Sequence, residues 1–88
     1  MSPGTVPRIG PGFRLQWEPA QDCHVLLYPE GMVKLNQSAG EILKRCDGSR
    51  TAAQIVTDLE SAFSAQGLEP EVFAFMELAA KQRWLAWE

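Results

Sequence analysis

The sequence predicts an α+β fold, a winged-helix-like arrangement in which a three-stranded antiparallel sheet is followed by a three-helix bundle. The first observation is an alternation of apolar and polar residues that begins at Phe13 and is typical of strands. The second is a change at Leu35 to an apolar spacing of about 3.6 residues, which indicates helices. The third is the placement of glycine and proline, which divides both halves into short elements.

Three strands are predicted in the first half of the chain. Residues 13–18 alternate strictly, which predicts a half-buried strand, and residues 23–28 are apolar on both faces. Pro29-Glu30-Gly31 then closes a short hairpin onto a third strand over residues 32–35. By chain order this third strand lies at an edge, where unpaired backbone groups are available to another chain.

The start of the first helix has two competing caps. Ser38 and Glu41 have the spacing of a capping box, in which each side chain satisfies a backbone amide of the other residue. Asn36 is the rival cap. Gly48 is predicted to end this helix in the left-handed conformation.

The two later helices have clearer boundaries. A second capping box, Thr51-x-x-Gln54, opens the second helix, and Gly67 is predicted to terminate it. Glu69-Pro70 opens the third helix, because proline is tolerated in a first turn where its missing amide has no partner to lose. The apolar stripe of the second helix is formed by Ile55, Val56, Leu59 and Phe63.

The two ends of the chain differ from its centre. Residues 1–12 are rich in proline and glycine and are predicted to form a flexible or extended arm, so that residues 13–88 form a single domain. The tail from Trp84 to Trp87 is very apolar for a chain end. It is therefore expected to dock on the body of the protein or on a partner.

Composition and charge exclude several classes of function. With 88 residues, 45% of them hydrophobic and 22% charged, the chain is that of a small globular domain. A net charge of −3 disfavours nucleic-acid binding, which depends on clustered lysine and arginine. No segment has the apolar length of a signal peptide or of a membrane span, so a cytoplasmic protein without membrane partners is expected.

No catalytic residue, cofactor site or metal site is predicted. His24 is the single histidine, and Cys23 beside it projects from the opposite face of a strand, so the two cannot form a local relay. Cys46 lacks the close spacing to other ligands that zinc modules use, and both cysteines are expected to be reduced and mostly buried. A carrier protein with its prosthetic arm on Ser38 is disfavoured, because the usual Asp-Ser-Leu surroundings are absent.

An ordered series of motifs resembles one known family. The stretch from Arg14 to Thr51 is similar to the pyrroloquinoline quinone (PQQ) biosynthesis protein D family. The similarity continues through the helix of residues 72–78 to Leu85 and covers nearly all of the chain after the N-terminal arm. The motifs that carry the resemblance are Tyr28-Pro29-Glu30-Gly31, Leu35-Asn36, Ser38-Ala39, Ile42-Leu43, Asp47-Gly48, Ile55-Val56 and Trp84-Leu85.

The resemblance implies a non-enzymatic peptide chaperone. Members of the family are recognition elements that bind a ribosomally made precursor peptide and present it to a radical S-adenosylmethionine (SAM) enzyme, which crosslinks a Glu and a Tyr of the peptide. In related elements the peptide adds as a strand beside the third strand, against the third helix. Carried to this chain, the resemblance implies a peptide-binding set consisting of Met32, Val33, Lys34, Leu35, Phe75 and Leu78.

Two alternatives accompany this interpretation. A winged-helix DNA-binding protein would share the order of elements, although the helix after Thr51 carries Asp58 and Glu60 where a basic recognition helix is expected. A homodimer through the edge strand or through swapped elements is a further expectation, because an edge that accepts a peptide also accepts a second copy.

Overall fold

A computed structural model describes residues 1–88 and confirms the predicted α+β fold. Five strands and three helices follow one another along the chain, and none of the helices is both long and apolar enough to cross a membrane. The elements are β1 (Arg8–Ile9), β2 (Arg14–Glu18), β3 (Cys23–Tyr28), β4 (Gly31–Lys34), α1 (Gln37–Arg45), α2 (Ala52–Ala62), α3 (Glu69–Lys81) and β5 (Leu85–Ala86).

The main sheet is antiparallel, with the strand order β2-β3-β4. The bounds of β3 are as predicted, β2 begins one residue later than predicted, and β4 lies one residue earlier. The hairpin between β3 and β4 pairs Tyr28 with Gly31, so Pro29 and Glu30 form a two-residue turn. β4 is therefore an edge strand, as the chain order predicts.

The core lies between one face of the sheet and the three helices. Leu26 at the centre of β3 is fully buried and joins residues from all three helices in one apolar cluster. Successive strand residues face opposite sides, so Val25 is on the outer face and, although buried, does not belong to that cluster. Gly40 lets α1 approach β3 closely, since a Cβ at this position would lie 2.9 Å from the His24 ring nitrogen Nδ1.

The cap of α1 is Asn36, and the capping box predicted at Ser38 is wrong. The Asn36 Oδ1 atom accepts a hydrogen bond from the Ala39 N–H at 2.8 Å while its backbone stays extended. Ser38 therefore lies inside the first turn, and Glu41 binds Arg45 instead of a backbone amide. The helix starts immediately after the sheet ends, which leaves the earlier of the two rival caps in the extended conformation that a cap requires.

The capping box of α2 is confirmed, but its predicted terminator is not. Thr51 and Gln54 exchange the two hydrogen bonds of the box at 2.8 and 3.1 Å. The helix ends at Ala62, and Ser64 with a φ of 50° reverses the chain before Gly67 is reached. α3 starts at Glu69-Pro70 as predicted, and Gly48 has the predicted left-handed conformation with a φ of 82°.

Both chain ends pack on the body. The tail docks as predicted, with Leu85 buried and β5 paired to β1 in a separate two-stranded sheet. The N-terminal arm contains β1, and its Thr5 and Pro3 carbonyls accept hydrogen bonds from the Ala52 and Ala53 N–H groups at 2.7 and 3.0 Å. These are first-turn donors of α2 that have no partner within the helix, which explains why a proline-rich segment is held there.

Candidate functional site

The outer border of β4 presents backbone groups that pair with no other strand. The Leu35 N–H donates to the His24 carbonyl oxygen at 3.0 Å, and hydrogen-bonded pairs alternate with non-bonded pairs along an antiparallel ladder. In this register Val33 belongs to a bonded pair, whereas Met32 and Lys34 belong to non-bonded pairs. The N–H and C=O groups of Met32 and Lys34 therefore point away from β3, toward the free border.

The predicted strand residues divide between two faces. Val33 is directly opposite Leu26 and packs on the core, and Leu35 after it is buried. Met32 and Lys34 alternate with them and project from the outer face of the sheet, where 47% of Met32 is exposed. A groove between β4 and the helices would therefore be lined by the side chain of Val33, while Met32 and Lys34 contribute their backbone.

The two residues predicted on α3 differ in their packing. Phe75 is half-buried against the apolar core, the same core on which Val33 packs. Leu78 is 57% exposed, which is high for a leucine in a helix that packs on a core. Leu78 thus contributes little to the core and remains available for contact with another molecule.

A pocket that the sequence did not predict lies where the three helices meet, and we call it the helical pocket. Its volume is about 460 Å³ and most of its lining is apolar. Phe63, which the apolar stripe placed in the core, stands at this pocket with 45% of its surface exposed, because α2 ends one residue before it. The lining residues are Asn36, Gln37, Ser38, Ala39, Glu41, Ile42, Leu59, Phe63, Ala65, Leu68, Glu71, Val72 and Phe75.

The charges of the helical pocket are negative. Glu41 is held by Arg45 at 2.7 Å, and this hydrogen bond lowers the pKa of the Glu41 carboxyl below its ordinary value. Arg45 also reaches Asp58 on α2 at 2.9 Å and so ties the two helices together. Glu71 forms no ion pair or side-chain hydrogen bond within the chain. The pocket therefore has one carboxylate paired with an arginine and one without an ion-pair partner.

The surroundings of His24 and the two cysteines are those of residues with a structural role. The His24 ring packs edge-on against Trp17, with ring centroids 5.0 Å apart, and its other side faces Gly40. Cys46 is buried and its Sγ contacts the Ile42 carbonyl oxygen at 3.2 Å, and burial raises the pKa of its thiol to about 12. Cys23 is half-buried and, like Cys46, free of disulfide bonds. A thiol with such a pKa is protonated at neutral pH and is a poor nucleophile.

Comparison with protein families identifies the family to which the chain belongs. Residues 23–85, which include β4, α3 and the helical pocket, match the model of coenzyme PQQ synthesis protein D (PqqD). The chain belongs to the PqqD family. The family predicted from the sequence motifs is thereby confirmed.

Relatives of similar length support this assignment. A protein of Pseudomonas aeruginosa named PqqA binding protein is 57% identical over 82 residues, which cover 92% of this chain and 89% of the relative. The PqqA binding protein of Stutzerimonas stutzeri is 52% identical over 81 residues, or 91% of this chain and 88% of the relative. The similarity therefore extends over nearly the whole length of both proteins.

Two solved structures share the fold. The PqqD part of Methylobacterium extorquens PqqCD, described as a stand-alone recognition element for ribosomally synthesised and post-translationally modified peptides, superimposes with a TM-score of 0.79 at 32% identity. It matches 98% of this chain and 94% of that structure. The heterocyclase TruD contains a similar unit, with a TM-score of 0.71 at 26% identity over 96% of this chain and 12% of TruD.

Proposed function

We propose that residues 13–88 of this PqqD family member form a peptide-recognition domain that binds the PQQ precursor peptide, PqqA, as an added strand on β4. The observation that carries the proposal is the free border of β4, where the N–H and C=O groups of Met32 and Lys34 point outward. The names of the relatives, which describe PqqA binding, supply the identity of the ligand.

The register of β4 divides the side chains of a bound peptide into two sets. Residues directly opposite each other in a sheet project from the same face. Peptide residues opposite Val33 and Leu35 would therefore face the helices, toward Phe75 and the exposed Leu78 on α3. Peptide residues opposite Met32 and Lys34 would lie on the outer face of the sheet. Specificity thus depends on every second residue of the peptide.

Backbone pairing alone gives little affinity. Ordering each peptide residue costs about 1–2 kcal/mol, whereas a hydrogen bond contributes about 0.5–1.5 kcal/mol net. Burial of an apolar side chain contributes about 1.5–3 kcal/mol, so two or three anchors facing the helices give an affinity near the micromolar range. We infer that the strand sets the register and that contacts with Val33, Phe75 and Leu78 supply most of the binding energy.

The proposal includes delivery of the peptide to a modifying enzyme, a radical SAM protein that crosslinks its Glu and Tyr. Such an enzyme needs a cysteine-bound iron–sulfur cluster, and this chain has two cysteines, of which Cys46 is buried with a raised pKa. The chemistry is therefore assigned to the partner, and this chain acts as a binding protein. Two relatives support a link to enzymes, because the fold occurs in the PqqCD protein and inside the heterocyclase TruD.

The substitution Lys34→Pro tests the strand-addition model. Proline removes the outward N–H of Lys34 but none of the hydrogen bonds to β3, and edge strands tolerate proline when the N–H faces solvent. The affinity for synthetic PqqA, measured by isothermal titration calorimetry, should fall about tenfold. Lys34→Ala, which keeps the N–H, should bind within about twofold of wild type. Equal affinities of the proline and alanine variants would show that β4 does not pair with the peptide.

The same border is the basis for the predicted homodimer. If two copies pair through β4, the peptide and the second copy compete for the same backbone groups. Sedimentation velocity over a concentration series should then show a dimer that dissociates when PqqA is added. A monomer at every concentration, or a dimer unaffected by the peptide, would exclude dimerisation through β4.

A further inference from the structure

We propose that the helical pocket is a second recognition point for the same peptide, one that takes a single bulky apolar side chain adjacent in sequence to a lysine or arginine. This inference rests on the proposed function and extends it to a site that contains no residue of β4 and shares only Phe75 with the residues proposed to contact the added strand. It therefore predicts that part of the specificity lies outside the strand-forming segment of the peptide.

The size and lining of the pocket favour an apolar occupant. A volume of about 460 Å³ is within the range of ligand-binding pockets. Core residues such as Leu59 and Val72 form part of the lining, and Phe63 stands exposed at the pocket. Burial of an aromatic or long aliphatic side chain here would remove apolar surface on both partners from water.

The position of the pocket favours the peptide over an unrelated ligand. One side of the pocket is formed by residues 36–39, which follow β4 directly through Leu35. A strand advances about 3.3 Å per residue. A peptide paired with β4 would therefore reach the pocket one or two residues beyond its last pair with Lys34, without a change in the pairing.

The charges indicate which residue accompanies the apolar anchor. The lining contains Glu41 and Glu71 and neither lysine nor arginine. Arg45 already neutralises Glu41, whereas Glu71 has no partner in the chain. A cationic residue next to the anchor would pair with Glu71, while an acidic residue in that place would be repelled.

Filling the pocket tests the proposal. Ala65 lines the pocket and is not part of the buried core, so Ala65→Phe places an aromatic ring there and fills part of the volume. The matched control is Ala62→Phe, at an exposed position on the last residue of α2 that is not part of the lining. The affinity for synthetic PqqA should fall at least tenfold in Ala65→Phe and less than about twofold in Ala62→Phe.

Each outcome of an alanine scan of the peptide then counts for or against the pocket. Replacement of one apolar peptide residue outside the strand-forming segment by alanine should lower the affinity for the wild-type protein. The same replacement should not lower the affinity for Ala65→Phe any further. Phe63→Ala provides a second test if Ala65→Phe does not fold, with an expected loss of about three- to tenfold. If each alanine replacement in the peptide lowers the affinity for the wild type and for both variants by the same factor, the pocket is not a recognition point.

Two further measurements complete the test. Glu71→Gln should weaken binding about two- to fivefold for a peptide that keeps its basic residue and not at all for one in which that residue is alanine. Lys34→Pro separates the two proposals. Loss of binding in Lys34→Pro with full binding in Ala65→Phe and Phe63→Ala would overturn the pocket alone, whereas absence of binding by the wild-type protein would overturn the proposed function.

Discussion

Two strand borders of this small protein differ in whether another segment of the chain covers them. The border of β5 is covered by the chain's own N-terminal arm, since Arg8 and Ile9 pair with Ala86 and Leu85. The Gly10 N–H extends this contact to the Trp84 carbonyl oxygen at 2.8 Å. The outer border of β4 has no such cover, and Met32 on it is 47% exposed. We refer to these as the closed border and the open border.

Because of this difference, the closed border contributes to stability and the open border is available for binding. At the closed border the backbones touch, because a Cβ on Gly10 would lie only 2.1 Å from the Arg83 carbonyl oxygen. Leu85 there is buried in the same core as the helices. At the open border the outward backbone groups contribute nothing to the fold. Because the arm and the tail are held in the second sheet, neither occupies the position that a peptide needs on β4.

The largest effect on stability is expected from a substitution at the closed border. Leu85→Ala removes a side chain that is 2% exposed and should lower the free energy of unfolding by about 2–5 kcal/mol, measured by urea denaturation. Met32→Ala at the open border should change it by less than about 0.5 kcal/mol. If folded Leu85→Ala protein also lost its affinity for PqqA, the two borders would not be independent.

The second-largest effect is expected at Leu78 on α3, where a substitution should change binding and leave stability nearly unchanged. Leu78→Asp places a charge where the peptide is proposed to contact the helix, and should weaken binding by about 1.5–3 kcal/mol in calorimetry. The melting temperature should change little, because Leu78 is 57% exposed. Ala74→Asp, an exposed position on the same helix, is the control for added charge. Equal losses of stability and binding in Leu78→Asp would make Leu78 part of the core.

The open border could be predicted from the sequence, and the closed one could not. Alternation and turn residues define β2, β3 and β4 locally, and chain order alone places β4 at an edge. β1 and β5 have two residues each, too few to show a period, and each finds its partner almost the whole chain length away. Pairing between chain ends is decided by the packed body, which local patterns do not describe.

The helical pocket was missed for a related reason. Phe63 continues the apolar spacing of α2, and that spacing places it in the core. The helix ends at Ala62, however, and the positive φ of Ser64 redirects the chain. A serine in this conformation gives no signal in the sequence, whereas Gly67, which does give one, lies three residues later. An exposed aromatic residue beside a cavity is therefore visible only in the structure.

The smallest effect is a difference in pH dependence between the borders. Asp47 lies beside the closed border, where its backbone forms an isolated β-bridge with Arg8 and the Gly48 N–H donates to the Pro7 carbonyl oxygen. Hydrogen bonds from the Ser49 hydroxyl and N–H, at 2.6 and 3.0 Å, lower the pKa of the Asp47 carboxyl. A lowered pKa in the folded state stabilises the protein above the ordinary value of about 3.9, and this contribution disappears as the pH falls through the lowered value.

Asp47→Asn isolates that contribution. The variant should melt slightly below wild type at neutral pH, and the two should converge as the pH falls through the lowered pKa of Asp47, because the protonated wild-type carboxyl resembles the amide. Ser49→Ala, which removes the hydroxyl donor, should reproduce part of the difference at neutral pH. A gap that persists in acid would show that the charge of Asp47 is not its cause. The main chain of the open border has no titratable group, so strand pairing on β4 should be unaffected by the substitution.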